Sequence, residues 1–107
     1  MIRATWNGAV LAESDRTIKI EGHHYFPPET VRHGYLQASP SHTRCFWKGV
    51  ASYYEVIVDG KVNHDAAWYY PNPSRAASRI QDHVAFWHGV RIERVSGGSR
   101  LSRLLRR

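Results

Sequence analysis

Ala51-Ser52-Tyr53-Tyr54-Glu55-Val56-Ile57-Val58-Asp59-Gly60-Lys61-Val62-Asn63-His64-Asp65-Ala66-Ala67-Trp68-Tyr69-Tyr70 decides the fold of this 107-residue chain. Asp59-Gly60 is a two-residue hairpin signal, because such turns need positive φ at both positions, which Gly adopts freely and Asp tolerates. The residues on either side are rich in β-branched and aromatic types that fit a pleated, half-buried surface. A two-residue turn sets Val58 against Lys61, Ile57 against Val62 and Glu55 against His64. Tyr53, Glu55 and Ile57 then share a face with Val62, His64, Ala66 and Trp68. A longer loop reaching Asn63 breaks that arrangement, since a one-residue slip reverses the faces.

Outward from the hairpin, the flanking sequence adds strands and one helix. Thr17-Ile18-Lys19-Ile20-Glu21 alternates apolar and polar residues, and Val10–Glu13 precedes it across Ser14-Asp15-Arg16, so both read as short strands. Asn7-Gly8 marks an earlier turn, making Arg3–Trp6 a further strand. Pro28 can open a single helical turn after His23-His24-Tyr25-Phe26-Pro27. Tyr35–Ala38 is a candidate strand, and Ser39-Pro40-Ser41-His42 reads as a loop. Beyond Tyr70, Asn72 can cap a helix that has Pro73 in its first turn. Ala76, Ala77, Ile80, Val84 and Trp87 recur at helical spacing, which predicts one α-helix over residues 73–88. A shorter version ends at Asp82 and leaves Val84–Trp87 extended. Val90–Val95 reads as the last strand. The expected fold is therefore mainly β: a compact two-sheet antiparallel domain over residues 1–95, followed by a basic, flexible tail over 96–107.

Bulk composition bounds the function classes. The chain is 42% apolar and 22% charged, near the average for soluble globular proteins. One cysteine excludes an internal disulfide framework and suits a reducing compartment. No apolar run is long enough to span a bilayer, so the expected location is cytoplasmic. The formal charge of +6 is concentrated at one end. Residues 91–107 hold six arginines and one acid, a charge of +5, which taken from +6 leaves +1 on the first 90 residues. Any nucleic-acid or acidic-partner argument therefore concerns Arg100, Arg103, Arg106 and Arg107 rather than the fold. Leu101, Leu104 and Leu105 also give the tail an apolar stripe suited to an acidic partner or a membrane surface, whereas a solvated, frayed terminus is the ordinary outcome.

Seven of the thirteen aromatic residues fall between Phe46 and Tyr70. Tyr and Trp bury a ring while directing an O–H or N–H toward a partner or a cleft. His24, Tyr25, Cys45, Trp47, Lys48, Tyr54, Trp68 and Tyr70 form the expected lining of a ligand site. Polar-tipped rings with one cation suit a small anionic or planar molecule, or a peptide. Inter-sheet core packing accounts for most of the rings in any case. Cys45 near Lys48 is a candidate nucleophile, because a nearby ammonium lowers a thiol pKa; the alternative is a small buried hydrophobe. Glu55 and His64 could form a carboxylate-oriented general base, and an exposed cross-strand pair is the ordinary reading. No metal or cofactor is expected: His23, His24, His64 and His83 lack convergent ligand spacing, and adjacent His23 and His24 point to opposite faces of a strand.

Several strings together resemble one family. They are Glu13-Ser14-Asp15-Arg16-Thr17, His24-Tyr25-Phe26-Pro27-Pro28, Cys45-Phe46-Trp47-Lys48-Gly49, Asp65-Ala66-Ala67-Trp68-Tyr69-Tyr70-Pro71 and His83-Val84-Ala85-Phe86. Over roughly residues 5–95 the chain is similar to the domain-of-unknown-function family 427, sometimes labelled nucleotidyltransferase-like. The resemblance implies a β-tent arrangement of the Mss-four-like kind, in which two sheets pinch a core and leave a cleft. Relatives of that fold hold structural zinc with Cys-x-x-Cys pairs, which a single cysteine does not supply. The label itself asks for an Asp-x-Asp pair holding Mg²⁺ ions against a triphosphate. Asp15, Asp59, Asp65 and Asp82 are too far apart in sequence to provide one. Three functions follow as expectations: a binding module with an aromatic cleft, an enzyme using Cys45 or a His/carboxylate pair, and a tail that contacts nucleic acid or an acidic partner.

Overall fold

Two-residue turns carry much of the backbone geometry in the computed structural model, which describes residues 1–96. Asn7-Gly8, Glu21-Gly22 and Asp59-Gly60 have φ pairs of 49° and 80°, 54° and 82°, and 51° and 75°. Both positions are left-handed in each, which matches the right-handed twist of the strands they join. They close three hairpins: β1 (Ile2–Trp6) with β2 (Ala9–Ser14), β3 (Ile18–Ile20) with β4 (His23–Tyr25), and β6 (Gly49–Val58) with β7 (Lys61–Tyr69). A fourth left-handed pair, His88-Gly89, turns the chain from β8 (Val84–Phe86) toward β9 (Arg91–Arg94).

Among the described residues all the sheets are antiparallel, and there are three rather than the expected two. Their orders are β2-β1-β9, β3-β4 and β5-β6-β7-β8, where β5 spans Leu36–Cys45. The third sheet arises because β2 and β3 do not pair with each other; each pairs with its own hairpin partner. Phe26 and Val84 exchange backbone bonds of 2.8 and 2.9 Å and fasten the end of the β3–β4 ribbon to β8. Ser39–His42, expected as a loop, lies within β5. Pro40 is tolerated there because β5 is an edge strand and its register shifts between Ala38 and His42.

The four-stranded sheet is covered on both faces, and its sequence alternates accordingly. Val56 and Val58 join Ile2, Leu11, Phe26, Ala67, Val84 and Phe86 in one core beneath the β2-β1-β9 sheet. Ala51, Tyr53, Trp68, Tyr70 and Ala85 point the other way and join Ile20, Tyr25, Ala77 and Ile80. Period-two alternation with apolar residues on both faces follows from burial on both sides.

The α-helix expected over residues 73–88 does not form. Only Arg75–Ile80 is helical, as a 3₁₀ segment. Ala77 and Ile80, three residues apart, are buried, while Ala76 is exposed, which is the eclipsed spacing of a three-residue turn rather than a 3.6-residue one. Gln81, with φ −52° and ψ 128°, leaves helical backbone and ends the segment. Val84–Phe86 then pairs with β7, as the shorter version of the helix allows. Pro28–Thr30 forms the expected helical turn. Among the described residues no helix is long and apolar enough to cross a membrane.

The register of the central hairpin combines the expected pairing with a two-residue bulge. Val58, Ile57 and Val56 face Lys61, Val62 and Asn63, but Tyr54 faces Ala67 and Tyr53 faces Trp68. Asp65 at φ 52° absorbs the extra residues, so Ala66 joins Ala67 in the first core instead of sharing a face with Trp68. Because two residues are inserted, parity survives and Trp68 still shares a face with Tyr53.

Phe26 is 0% exposed where the ribbon meets β8, and Phe46 is 97% exposed at the β5–β6 turn. Phe26→Ala is expected to lower the unfolding free energy by about 3–5 kcal/mol in urea titrations, whereas Phe46→Ala should change it by less than about 0.5 kcal/mol. Similar losses at the two positions would mean that the ribbon is not fixed through Phe26.

Candidate functional site

The β3–β4 ribbon covers one face of the central sheet only partly, and a cleft of about 190 Å³ remains beside it. Glu21, His23, Tyr25, Lys48, Tyr53, Trp68, Tyr70 and Trp87 line it. Of the expected lining, Tyr25, Lys48, Trp68 and Tyr70 converge here. Trp47 sits at the edge with its indole 5.1 Å from the Lys48 ammonium, and Cys45 packs against the same core cluster.

His24 and Tyr54 lie elsewhere, as strand parity dictates. His23 and Tyr25 share the cleft-facing side of β4, so His24 points away and bonds Thr17 at 2.8 Å. Burial, with Lys19 and Arg94 nearby, holds the His24 pKa below its usual value. Tyr54 faces the first core and stacks on Tyr69 with ring centres 4.7 Å apart. Burial and Tyr69 push its phenol up to about 12.

Lys48 is the chemical centre of the cleft. It is only 5% exposed, and the turn that carries it is clamped. Ser74 donates its backbone N–H to the Lys48 carbonyl at 2.9 Å and its hydroxyl to the Trp47 carbonyl at 2.6 Å. Gly49 at φ 112° lies so close to Asn72 that a Cβ would meet its carbonyl oxygen at 3.3 Å. The ammonium donates to the Glu21 carboxylate and lies 5.8 Å from the Tyr70 ring centre. Trp47 Nε1 donates to the other Glu21 oxygen at 3.4 Å. Burial opposes the charged form of Lys48, but the Glu21 bond and the charges around it outweigh this and raise its pKa. The same bond, with that from Trp47, lowers the Glu21 carboxyl.

The rings around Lys48 are fixed by polar contacts of their own. Trp68 Nε1 donates to Tyr25 Oη at 3.2 Å, and Tyr53 Oη bonds Thr43 at 2.9 Å. Burial raises both the Tyr25 and Tyr70 phenols, so they remain protonated in neutral solution. Trp87 lies edge-on to Trp68 at 5.0 Å, and its Nε1 donates to the Asp65 carbonyl at 2.6 Å. The β7 bulge therefore sets one wall of the cleft.

Cys45 has an environment suited to a thiolate. Burial pushes its thiol up, but hydrogen bonds from the Trp47 and Lys48 backbone N–H groups, with the Lys48 charge, bring it below the ordinary value. Glu55 and His64 do meet, at 2.8 Å, with His64 side chain 77% exposed. The second Glu55 oxygen accepts the Asp65 backbone N–H at 2.7 Å, so this carboxylate spans the bulge rather than lining the cleft. Asp65 in turn accepts the Ser39 and Ser41 hydroxyls, which lower its pKa. Among the described residues no three His, Cys, Asp or Glu side chains converge as a metal-binding set. Arg100, Arg103, Arg106 and Arg107 lie outside the described residues.

Sequence reasoning missed Glu21, His23, Tyr53 and Trp87. His23 was recoverable, because it must share a strand face with Tyr25. Glu21-Gly22 escaped notice as a turn because Glu is not a residue that favours left-handed backbone. Trp87 was absorbed into the helical stripe.

Two measurements check these electrostatics. The Glu21 carboxyl is lowered from its ordinary 4.5, so its contribution to stability is present above that value and lost as pH falls through its folded value. The Lys48 pKa is raised, so its contribution is present below 10.5 and lost as pH rises through its folded value. The melting-temperature difference between the wild type and Glu21→Gln should hold between those limits and shrink in acid. For Cys45, alkylation of the native protein should titrate at lower pH than alkylation of the urea-unfolded chain. Lys48→Met should raise the native midpoint, and Glu21→Gln should lower it further. Coincident native and unfolded midpoints would remove the field assigned to Lys48.

A search among curated proteins finds no match to the chain. A family model described as Domain of unknown function (DUF427) matches residues 1–97, and the chain belongs to that family.

Proposed function

We propose that this protein is a binding module for a compact ligand with a planar body and an anionic end, seated in the cleft between the β3–β4 ribbon and the central sheet. The observation that carries the reading is Lys48, an ammonium 5% exposed among tyrosine and tryptophan rings. A dry core disfavours a cation, and a buried one is retained where it has an ionic partner to meet. The surrounding rings present flat faces and polar edges, which suit a planar body. The small volume favours a metabolite-sized group or one side chain of a peptide.

The nucleotidyltransferase-like label has no support in the carboxylates. Asp15, Asp59, Asp65 and Asp82 stand on separate segments, and Asp65 is committed to Ser39 and Ser41. None of the four lines the cleft.

Thermal shifts against small planar acids, nucleotides and RNA test the proposal in the full chain and in a 1–95 truncation. A cleft ligand should stabilise both forms and alter the tryptophan fluorescence. Trp87→Ala, a partly exposed position, should keep the fold and weaken binding at least about ten-fold. Stabilisation confined to the full chain would move binding to the arginine tail and sink the cleft reading.

A further inference from the structure

We infer that the ligand is a monoanion, carboxylate-like in its charged group, and that it binds by taking the place of the Glu21 carboxylate on Lys48. This rests on the cleft being the binding site. The two ends of the Lys48–Glu21 pair differ in how they are held. Lys48 is buried, its turn is bonded twice to Ser74, and its ammonium lies over the Trp47 and Tyr70 rings. Glu21 has a side chain 56% exposed and stands at the tip of a two-residue turn. Its side-chain bonds are those to Lys48 and Trp47.

The turn itself does not ask for a glutamate. At φ 54° it favours Asn, Asp or Gly. A residue ill suited to its backbone, whose carboxylate reaches a buried cation, is placed for that cation rather than for the turn. The cleft thus holds a buried positive charge and a partly exposed negative one. An incoming anion finds its site already occupied by an internal competitor at high effective concentration.

One negative charge is the limit the lining sets. Among the residues lining the cleft, Lys48 is the single lysine or arginine. A second negative charge would meet His23 and the phenols of Tyr25 and Tyr70 rather than another lysine or arginine. The planar body would lie toward Trp68 and Trp87, the indoles that line the cleft beyond the ammonium. Glu21 is therefore a specificity-determining residue: it rejects weak anions and admits those whose body also stacks.

Glu21→Asn separates the charge from the turn, because Asn suits the left-handed position and cannot neutralise Lys48. Benzoate and its neutral analogue benzamide serve as probes, titrated into the full chain by tryptophan fluorescence and by melting temperature. Removing the internal competitor should tighten benzoate by about ten-fold or more and raise its stabilising effect in the variant above that in the wild type. Benzamide should bind both forms equally, and Glu21→Asn combined with Lys48→Met should lose the preference for benzoate. If the probes bind the wild type but benzoate gains nothing in Glu21→Asn, the exchange is overturned while the cleft reading stands. If neither probe binds either form, both fail together.

Discussion

The central sheet is buried on both faces, and the rest of the structure depends on that constraint. A sheet with one wet face can place polar residues at alternate positions, but Ala66, Ala67 and Trp68 of β7 and Val84–Phe86 of β8 meet a cover on each side. Their even and odd positions must satisfy two different covers. The cover on one side is a broad three-stranded sheet, which leaves room for aliphatic packing around Leu11, Val56 and Phe86. The cover on the other side is a short ribbon and one 3₁₀ segment. Little chain lies there, and the rings of the sheet itself take up much of that face. Tyr53 and Trp68 lie there with Tyr25 and Tyr70, and a cleft remains where rings of fixed shape fail to tile the surface.

The β7 bulge sets which residues meet within that arrangement. Without the inserted residues, Trp68 would pair beyond Tyr53 and the edge strand β8 would start from a different position. Asp65 takes the left-handed backbone, and its neighbours hold it there: Glu55 accepts its N–H, Ser39 and Ser41 bond its carboxylate, and Trp87 bonds its carbonyl. A local irregularity 22 residues from Trp87 in sequence thereby fixes that indole on the cleft wall. The Glu55–His64 contact is best understood within this frame, since the carboxylate satisfies the bulge and the exposed imidazole caps it.

Legibility in the sequence tracked how local the determining physics is. Asp59-Gly60 and Asn7-Gly8 announce their hairpins through φ preference alone, and both occur as read. The mainly β architecture follows from them and from the alternation around Ile18 and Ile20. The helix expectation failed because a spacing of three serves a 3₁₀ turn as well as an α-helix: Ala77 and Ile80 suit either, and Val84–Phe86 pairs with the edge of β7 instead. The cleft was half legible. Lys48 and the rings stood out by type, whereas Glu21 and Trp87 arrive through turns and tertiary contacts that no spacing encodes. His24 in place of His23 was a parity error, correctable from the strand alternation that already sets the two on opposite faces.

The Lys48–Glu21 pair is hard to explain as stabilisation alone. Moving an ammonium out of water costs several kcal/mol even after relaxation, and the Glu21 bond with the charges around it serves first to offset that cost. A leucine or methionine at position 48 would cover Tyr70 and Trp47 without that loss. The clamp from Ser74 and the close approach of Gly49 to Asn72 add further ordering to present one charge at one place. Such expense is ordinary where a site must be ready before its ligand arrives, because preorganised charge loses little on binding. The strained Glu21 turn has the same character, being set by what the carboxylate meets and not by what the backbone prefers. Stability alone would favour an apolar residue at this position, and the pair present fits the proposed anion site instead.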